Sequence, residues 1–132
     1  VYALDARTGS LQWRYKTGFR GFSAGVRSSP AVAGGTVFVG SNDSHVYALD
    51  ALTGSLQWRY KTGGWAHSSS PAVADGTVFV GSNDSHVYAL DALTGSLQWR
   101  YETGDSVSSS PAVADGTVFV GSDDGHVYAL GG

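Results

Sequence analysis

The 132 residues are 42% hydrophobic, 12% aromatic and only 14% charged, which excludes intrinsic disorder, since that state needs low hydrophobicity and high charge. A net charge of −3 with no basic cluster removes the electrostatic footprint of a nucleic-acid binder, and zero cysteines remove disulfides and thiolate metal sites while leaving the compartment open. No apolar run approaches a membrane span, so no membrane insertion is expected; no secretory leader is visible, and the opening on Val1 rather than methionine fits a processed or excised piece.

Read in chain order, the sequence repeats itself. VYALDARTGSLQW (1–13) returns as VYALDALTGSLQW at 46–58 and, letter for letter, at 87–99; a stub, VYAL, follows at 127–130. Tryptophans 13, 58 and 99 are 45 and 41 residues apart, and prolines 30, 71 and 111 are 41 and 40 apart, so the unit is about 40 residues. The surplus of the first interval lies between Gly18 and Pro30, in FRGFSAGVRSS. Residues 46–86 and 87–126 differ at six positions and one gap, the mark of recent duplication or of deliberate construction.

Each unit reads as four short strands. SSPAVA (28–33) follows the turn into the unit, and TVFVGS (36–41) is rich in β-branched and aromatic residues. HVYALD (45–50) has apolar groups on both faces, as in a sheet sandwiched between two others. LQWRYKT (56–62) alternates, which predicts Leu56, Trp58 and Tyr60 on one face and Gln57, Arg59 and Lys61 on the other, an edge-like strand. AGGT (33–36) and ADGT (74–77) are tight hairpin signals, and SNDSH (41–45), SDDGH (122–126) and DALTG (50–54) are turns. Nothing has helical spacing. The fold class expected is all-β, with four-stranded antiparallel units that match the blades of a β-propeller. The boundaries predicted are a partial blade of third and fourth strands at 1–18, whole blades at 28–63 and 69–104, and a partial blade of first to third strands at 109–132.

The pattern AxDxxTGxxxW occurs at Ala3, Asp5, Thr8, Gly9 and Trp13; at Ala48, Asp50, Thr53, Gly54 and Trp58; and at Ala89, Asp91, Thr94, Gly95 and Trp99. It resembles the tryptophan docking motif of PQQ-type β-propeller repeats, found in quinoprotein alcohol dehydrogenases and in BamB-like assembly lipoproteins. The resemblance covers nearly the whole chain and implies that each motif staples one blade to the next. It also implies a secreted or periplasmic location for a natural chain. The residues suit that mechanical role: a tryptophan on an outer strand can bury a large apolar area against a neighbour, glycine permits positive φ, and an aspartate can accept backbone N–H bonds within its turn.

Chemistry is harder to find. The dehydrogenases that the motif resembles use eight blades, a calcium held by acidic and amide side chains, an aspartate base and often an adjacent-cysteine disulfide. Here there is no cysteine, Glu102 is the only glutamate, and the aspartates recur with the repeat in turns. No cofactor and no catalytic residue is assigned. His45, His86 and His126 begin third strands, one per unit, and read as turn histidines bonded to their own loops rather than as metal ligands. SNDSH lacks the ligand count of a calcium loop, so no metal is expected. The SSSP serines lack a nucleophile elbow and partner set, His67 beside Ser68 being a single occurrence, and read as small residues packing a crowded inner strand.

The units diverge where the fourth strand leads to the next first strand: TGFRGFSAGVRSSP, TGGWAHSSSP and TGDSVSSSP. Phe19, Arg20, Phe22, Arg27, Trp65, His67 and Asp105 are therefore candidates for a binding face beside the SNDSH loops, for a protein, peptide or glycan, the competing readings being that Phe22 or Trp65 plugs the central channel or that the loops simply drift.

Three blades do not close a propeller. The expected remedy is self-association: a non-enzymatic scaffold whose ring is completed between chains, with a six-bladed homodimer favoured over a nine-bladed trimer. Residues 10–16 of one copy would edge the sheet 109–130 of another. Val1–Leu4 and Val127–Leu130 then compete for one third-strand slot, a choice the sequence leaves open.

Overall fold

The computed structural model describes residues 1–19, 22–23, 25–66 and 69–131, and every regular element among them is a strand. In chain order these are β1 (Tyr2–Leu4), β2 (Leu11–Arg14), β3 (Gly18–Phe19), β4 (Phe22–Ser23), β5 (Ala31–Ala33), β6 (Thr36–Gly40), β7 (His45–Asp50) and β8 (Leu56–Lys61), then β9 (Ala72–Ala74), β10 (Thr77–Gly81), β11 (His86–Asp91), β12 (Leu97–Glu102), β13 (Ala112–Ala114), β14 (Thr117–Gly121) and β15 (Val127–Gly131). They form antiparallel sheets in simple succession: β1-β2, β5-β6-β7-β8, β9-β10-β11-β12 and β13-β14-β15. The surplus residues of the first interval are not merely loop, since β3 and β4 make a two-stranded ribbon of their own, with Gly18 opposite Ser23.

The hairpins fix this meander. In the first-to-second-strand turns both central residues are left-handed: Gly34 and Gly35 at φ 57° and 76°, Asp75 and Gly76 at 49° and 74°, Asp115 and Gly116 at 51° and 76°. That is the turn whose twist suits a two-residue hairpin. Second-to-third-strand turns hold Ser44, Ser85 and Gly125 at φ 67°, 72° and 87°.

The sheets stack face to face. One face of the β5–β8 sheet presents Val37, Val39, Tyr47 and Leu49 to Trp13 and Tyr15 of the sheet before it. Its other face presents Phe38, Val46, Ala48 and Trp58 to Val78, Val80, Tyr88 and Leu90 of the sheet after it. The β9–β12 sheet repeats the scheme, setting Phe79, Val87, Ala89 and Trp99 against Val118, Val120, Tyr128 and Leu130. This explains why the third strand is apolar on both sides: Val46, Tyr47, Ala48 and Leu49 are all buried because each sheet lies between two others. The sheets are blades of a β-propeller in an open array.

One expected pattern fails. Ala48 pairs with Trp58 but Leu49 pairs with Leu56, so Gln57 is an extra residue and the ladder slips there. Leu56 thereby falls opposite Leu49, leaves the Trp58 face and stays 42% exposed. Gln57, predicted to point outward, instead accepts a bond from the Thr36 hydroxyl at 2.9 Å. The same slip recurs at Ala3/Leu4 and at Ala89/Leu90, and Thr77 bonds Gln98 in the same way. A bulge of this kind breaks the period-2 alternation on which the sequence reading rested.

Candidate functional site

The most developed side-chain constellation lies between blades. The Trp13 indole N–H donates to the Ala51 carbonyl at 2.9 Å, and that of Trp58 to Ala92 at 3.0 Å. Each tryptophan crosses to the turn of the next blade. Glycine in that turn is obligatory: a Cβ on Gly54 would lie 2.6 Å from the Trp13 ring and one on Gly95 2.5 Å from Trp58, and both glycines have positive φ. Trp99 packs on Phe79 with ring centroids 5.9 Å apart, and among the described residues no carbonyl accepts its indole N–H.

The turn is held from within. Asp50 Oδ1 accepts the N–H groups of Leu52 and Thr53, each at 2.9 Å, and the Asp50 carbonyl accepts the Gly54 N–H at 2.8 Å. Asp5 and Asp91 repeat both bonds in their own units. Donation by Thr8, Thr53 and Thr94, then by Arg7, Leu52 and Leu93, holds the Asp5, Asp50 and Asp91 carboxyls below the usual carboxylate range. Ala3, Ala48 and Ala89 face the tryptophans across the ladder.

A second interblade joint escaped the sequence reading. Tyr47, Tyr88 and Tyr128 donate their hydroxyls in short bonds to Asp43, Asp84 and Asp124, four residues earlier. The same carboxylate oxygen accepts a backbone N–H from the preceding blade: Gly18 at 3.1 Å, Gly63 at 2.9 Å and Gly104 at 2.8 Å. Burial, and then the neighbouring carboxylate, push the Tyr47 and Tyr88 phenols up to about 12. Their rings meet tyrosines of the previous outer strand, Tyr60 to Tyr88 at 5.8 Å and Tyr15 to Tyr47 at 5.9 Å. The signal was present as the D-x-H-V-Y spacing in all three turns.

The inner strands carry a third joint, built from the serines. Ser69 Oγ accepts the Gly81 N–H at 2.8 Å within its blade and donates to the Ser109 carbonyl of the next at 2.9 Å. The Ser29 N–H donates to Ser70 Oγ at 2.7 Å, and the Ser70 N–H to Ser110 Oγ at 3.0 Å. Close approach is again required: a Cβ on Gly40 would sit 2.2 Å from the Ala66 carbonyl oxygen, and one on Gly81 2.4 Å from Val107.

The histidines stay local, with His45 Nδ1 2.9 Å from the Asp43 carbonyl and His86 Nδ1 3.0 Å from that of Asp84. Among the described residues no group of three or more His, Cys, Asp or Glu could hold a metal ion. The Asp5, Asp50 and Asp91 carboxylates accept backbone N–H groups, and those of Asp43, Asp84 and Asp124 accept backbone N–H groups and phenols. Of the candidate binding face, Arg20 and His67 lie outside the described residues. Trp65 is 55% exposed and its carbonyl accepts the Asn83 N–H at 2.9 Å, which sets its loop beside the second-to-third-strand turn. Arg27 is exposed, as is Asp105, whose Oδ1 accepts the Ser106 N–H at 2.7 Å. Phe19 and Phe22 pair through their backbones in the β3–β4 ribbon.

A profile described as outer membrane protein assembly factor BamB matches residues 1–131. The structure is similar to that of BamB from Moraxella catarrhalis, with a TM-score of 0.84, 28% identity, and coverage of 98% of this chain and 39% of that one. It is also similar to quinohemoprotein alcohol dehydrogenase ADHIIG from Pseudomonas putida HK5 (TM-score 0.77, 29% identity, covering 89% of this chain and 20% of that one). A europium-containing methanol dehydrogenase gives a TM-score of 0.75 at 26% identity, covering 90% of this chain and 24% of the other. The chain thus spans well under half the length of each. No curated protein sequence matches it.

Proposed function

The chain belongs to the family of the outer membrane protein assembly factor BamB, and from that premise we propose that it is a non-enzymatic propeller scaffold whose activity is the docking of blades, completed between copies of itself. One observation carries the reading. The face of the β13–β15 sheet turned away from the other blades exposes Phe119 by 42% and Val127 by 81%, whereas their counterparts inside the array, Phe38, Val46, Phe79 and Val87, are 8% exposed or less. That sheet has three strands where whole blades have four, and the outer-strand sequence it lacks, LQWRY, stands at 11–15 on a two-stranded ribbon. A head-to-tail pair would close six blades. Light scattering tests this: a particle of twice the 13.7 kDa chain mass is expected, and a persistent single-chain mass overturns it.

A second reading follows from the exposure of Trp65 and Arg27 on the variable loops. It makes those loops a binding face for a protein, peptide or glycan. Binding on a peptide or glycan array that is lost in Trp65→Ala while the unfolding midpoint is retained would favour it. The dehydrogenases among the similar structures raise a quinone enzyme as the remaining alternative; titration with quinone and calcium, read by absorbance and dye-linked alcohol oxidation, separates it. The family's tie to outer membrane protein assembly supports a periplasmic or secreted location.

A further inference from the structure

Resting on the self-assembly just proposed, we infer that β1 is a place-holder: on assembly it leaves β2, and β15 of a second copy takes its seat. The two strands lie in the same four letters, VYAL, at 1–4 and 127–130. In this chain the β1–β2 ladder pairs Tyr2 with Arg14, Ala3 with Trp13 and Leu4 with Leu11. Whole blades use the same pairs, Tyr88 with Arg100, Ala89 with Trp99 and Leu90 with Leu97. The β2 strand therefore accepts Tyr128, Ala129 and Leu130 in an identical register.

What differs is how well each strand is anchored. β1 has three residues at the free edge of a two-stranded ribbon, with Tyr2 69% and Leu4 58% exposed. β15 has five residues in a three-stranded sheet, and Tyr128 is bonded to Asp124, whose carboxylate also holds Gly104 of the preceding blade. Among the described residues Tyr2 has no such partner.

The second copy also brings bulk that β1 lacks. Beside the ribbon lies a cavity of about 780 Å³ lined by Val1, Tyr15, Val26, Ser28, Pro30 and Val39. It flanks the place that the first and second strands of that blade would occupy. In the neighbouring interface Phe38 is packed against Val78 and Val80. Phe119 reaches the equivalent place against Val37 and Val39 when β15 sits on β2. Exchange thus replaces a three-residue ribbon strand with a three-stranded sheet and buries Phe119, Val127 and Ala129 against the wall formed by Tyr15, Val26 and Val39.

The chain has no cysteine, so cross-links report the seat directly. Residues facing each other across an antiparallel ladder are within disulfide reach. With L11C/L130C, oxidation is expected to convert the assembled particle into covalently linked chains, reversed by reductant. With L4C/L11C, the assembled particle should stay unlinked, and only single chains should close an internal loop. Deletion of residues 1–4 should leave the assembled mass unchanged and speed its formation severalfold. An assembled particle that links through L4C/L11C but not through L11C/L130C overturns this inference and leaves the assembly standing. A single-chain mass for the unaltered protein overturns both.

Discussion

The Trp58 indole N–H reaches the Ala92 carbonyl at 3.0 Å, 34 residues on and in the next blade, directly over Gly95. One side chain therefore ties two sheets by packing, by a hydrogen bond and by the shape of a turn. Trp58→Ala should lower stability by about 3–5 kcal/mol, the usual cost of truncating a buried tryptophan. Gly95→Ala should also destabilise, because its Cβ would overlap the ring at 2.5 Å and its φ is 76°. In the double variant the overlap has gone, so the two costs should fall short of additive by about 0.5–3 kcal/mol. Urea unfolding of the four proteins at one concentration checks this cycle.

Gly81 and Gly121 hold the same place in successive blades. A methyl group on Gly81 would lie 2.7 Å from the Val107 carbonyl oxygen, whereas the nearest atom to one on Gly121 is Ser109 Oγ at 3.5 Å. Gly81→Ala should cost about 1–3 kcal/mol through overpacking. Gly121→Ala should leave unfolding of the single chain within about 0.5 kcal/mol. If copies join as proposed, Gly121→Ala should instead reduce association, read as a higher dilution midpoint in light scattering.

The turn aspartates set an acid limit. Their carboxyls sit below the ordinary value in the folded chain, so the folded state binds fewer protons than the unfolded one near pH 4. Stability is then complete above the unfolded value of 3.8 and falls as pH drops through the folded values. The tyrosines set an alkaline limit with the opposite sign. Tyr47 and Tyr88 are raised from 10.0 to about 12, so their contribution is complete below pH 10 and lost as pH rises towards 12. Urea midpoints from pH 2 to pH 12 should show both shoulders. Asp91→Asn should shrink the acid one, leaving the share of Asp5 and Asp50, and Tyr88→Phe should shrink the alkaline one, leaving that of Tyr47.

Ser44 and Ser85 adopt φ values of 67° and 72° where the next unit has Gly125 at 87°. A left-handed conformation is costly for serine and free of steric cost for glycine, while glycine loses more entropy on folding. Ser85→Gly should therefore stabilise by about 0.5–1 kcal/mol, seen as a higher thermal midpoint; a lower midpoint would show that the strain at this turn is negligible.

Much of the architecture was legible because its signals are local. Period, strand count and hairpins follow from residues adjacent in the chain, such as Asp75-Gly76 between two β-rich runs. Trp13 could be assigned to an outer strand by its place in the pattern. The rest depended on groups one blade apart. Asp43 looked like a turn residue because its link to Gly18 spans 25 residues, and the SSSP serines looked like small filler because Ser69 finds the Ser109 carbonyl 40 residues on. The Gln57 bulge was hidden for another reason: alternation of residue types is blind to one residue inserted in the ladder.

The near-identity of the units has a cost in folding. VYAL at 1–4, 46–49, 87–90 and 127–130 and LQWRY at 11–15, 56–60 and 97–101 carry no address. Every third strand fits every outer strand in the same register, so within the two whole blades the match is set by distance along the chain rather than by recognition. A chain emerging slowly from synthesis meets its nearest strand first. Many chains refolding together from denaturant have no such order, and their strands are free to cross-match into tangled multimers.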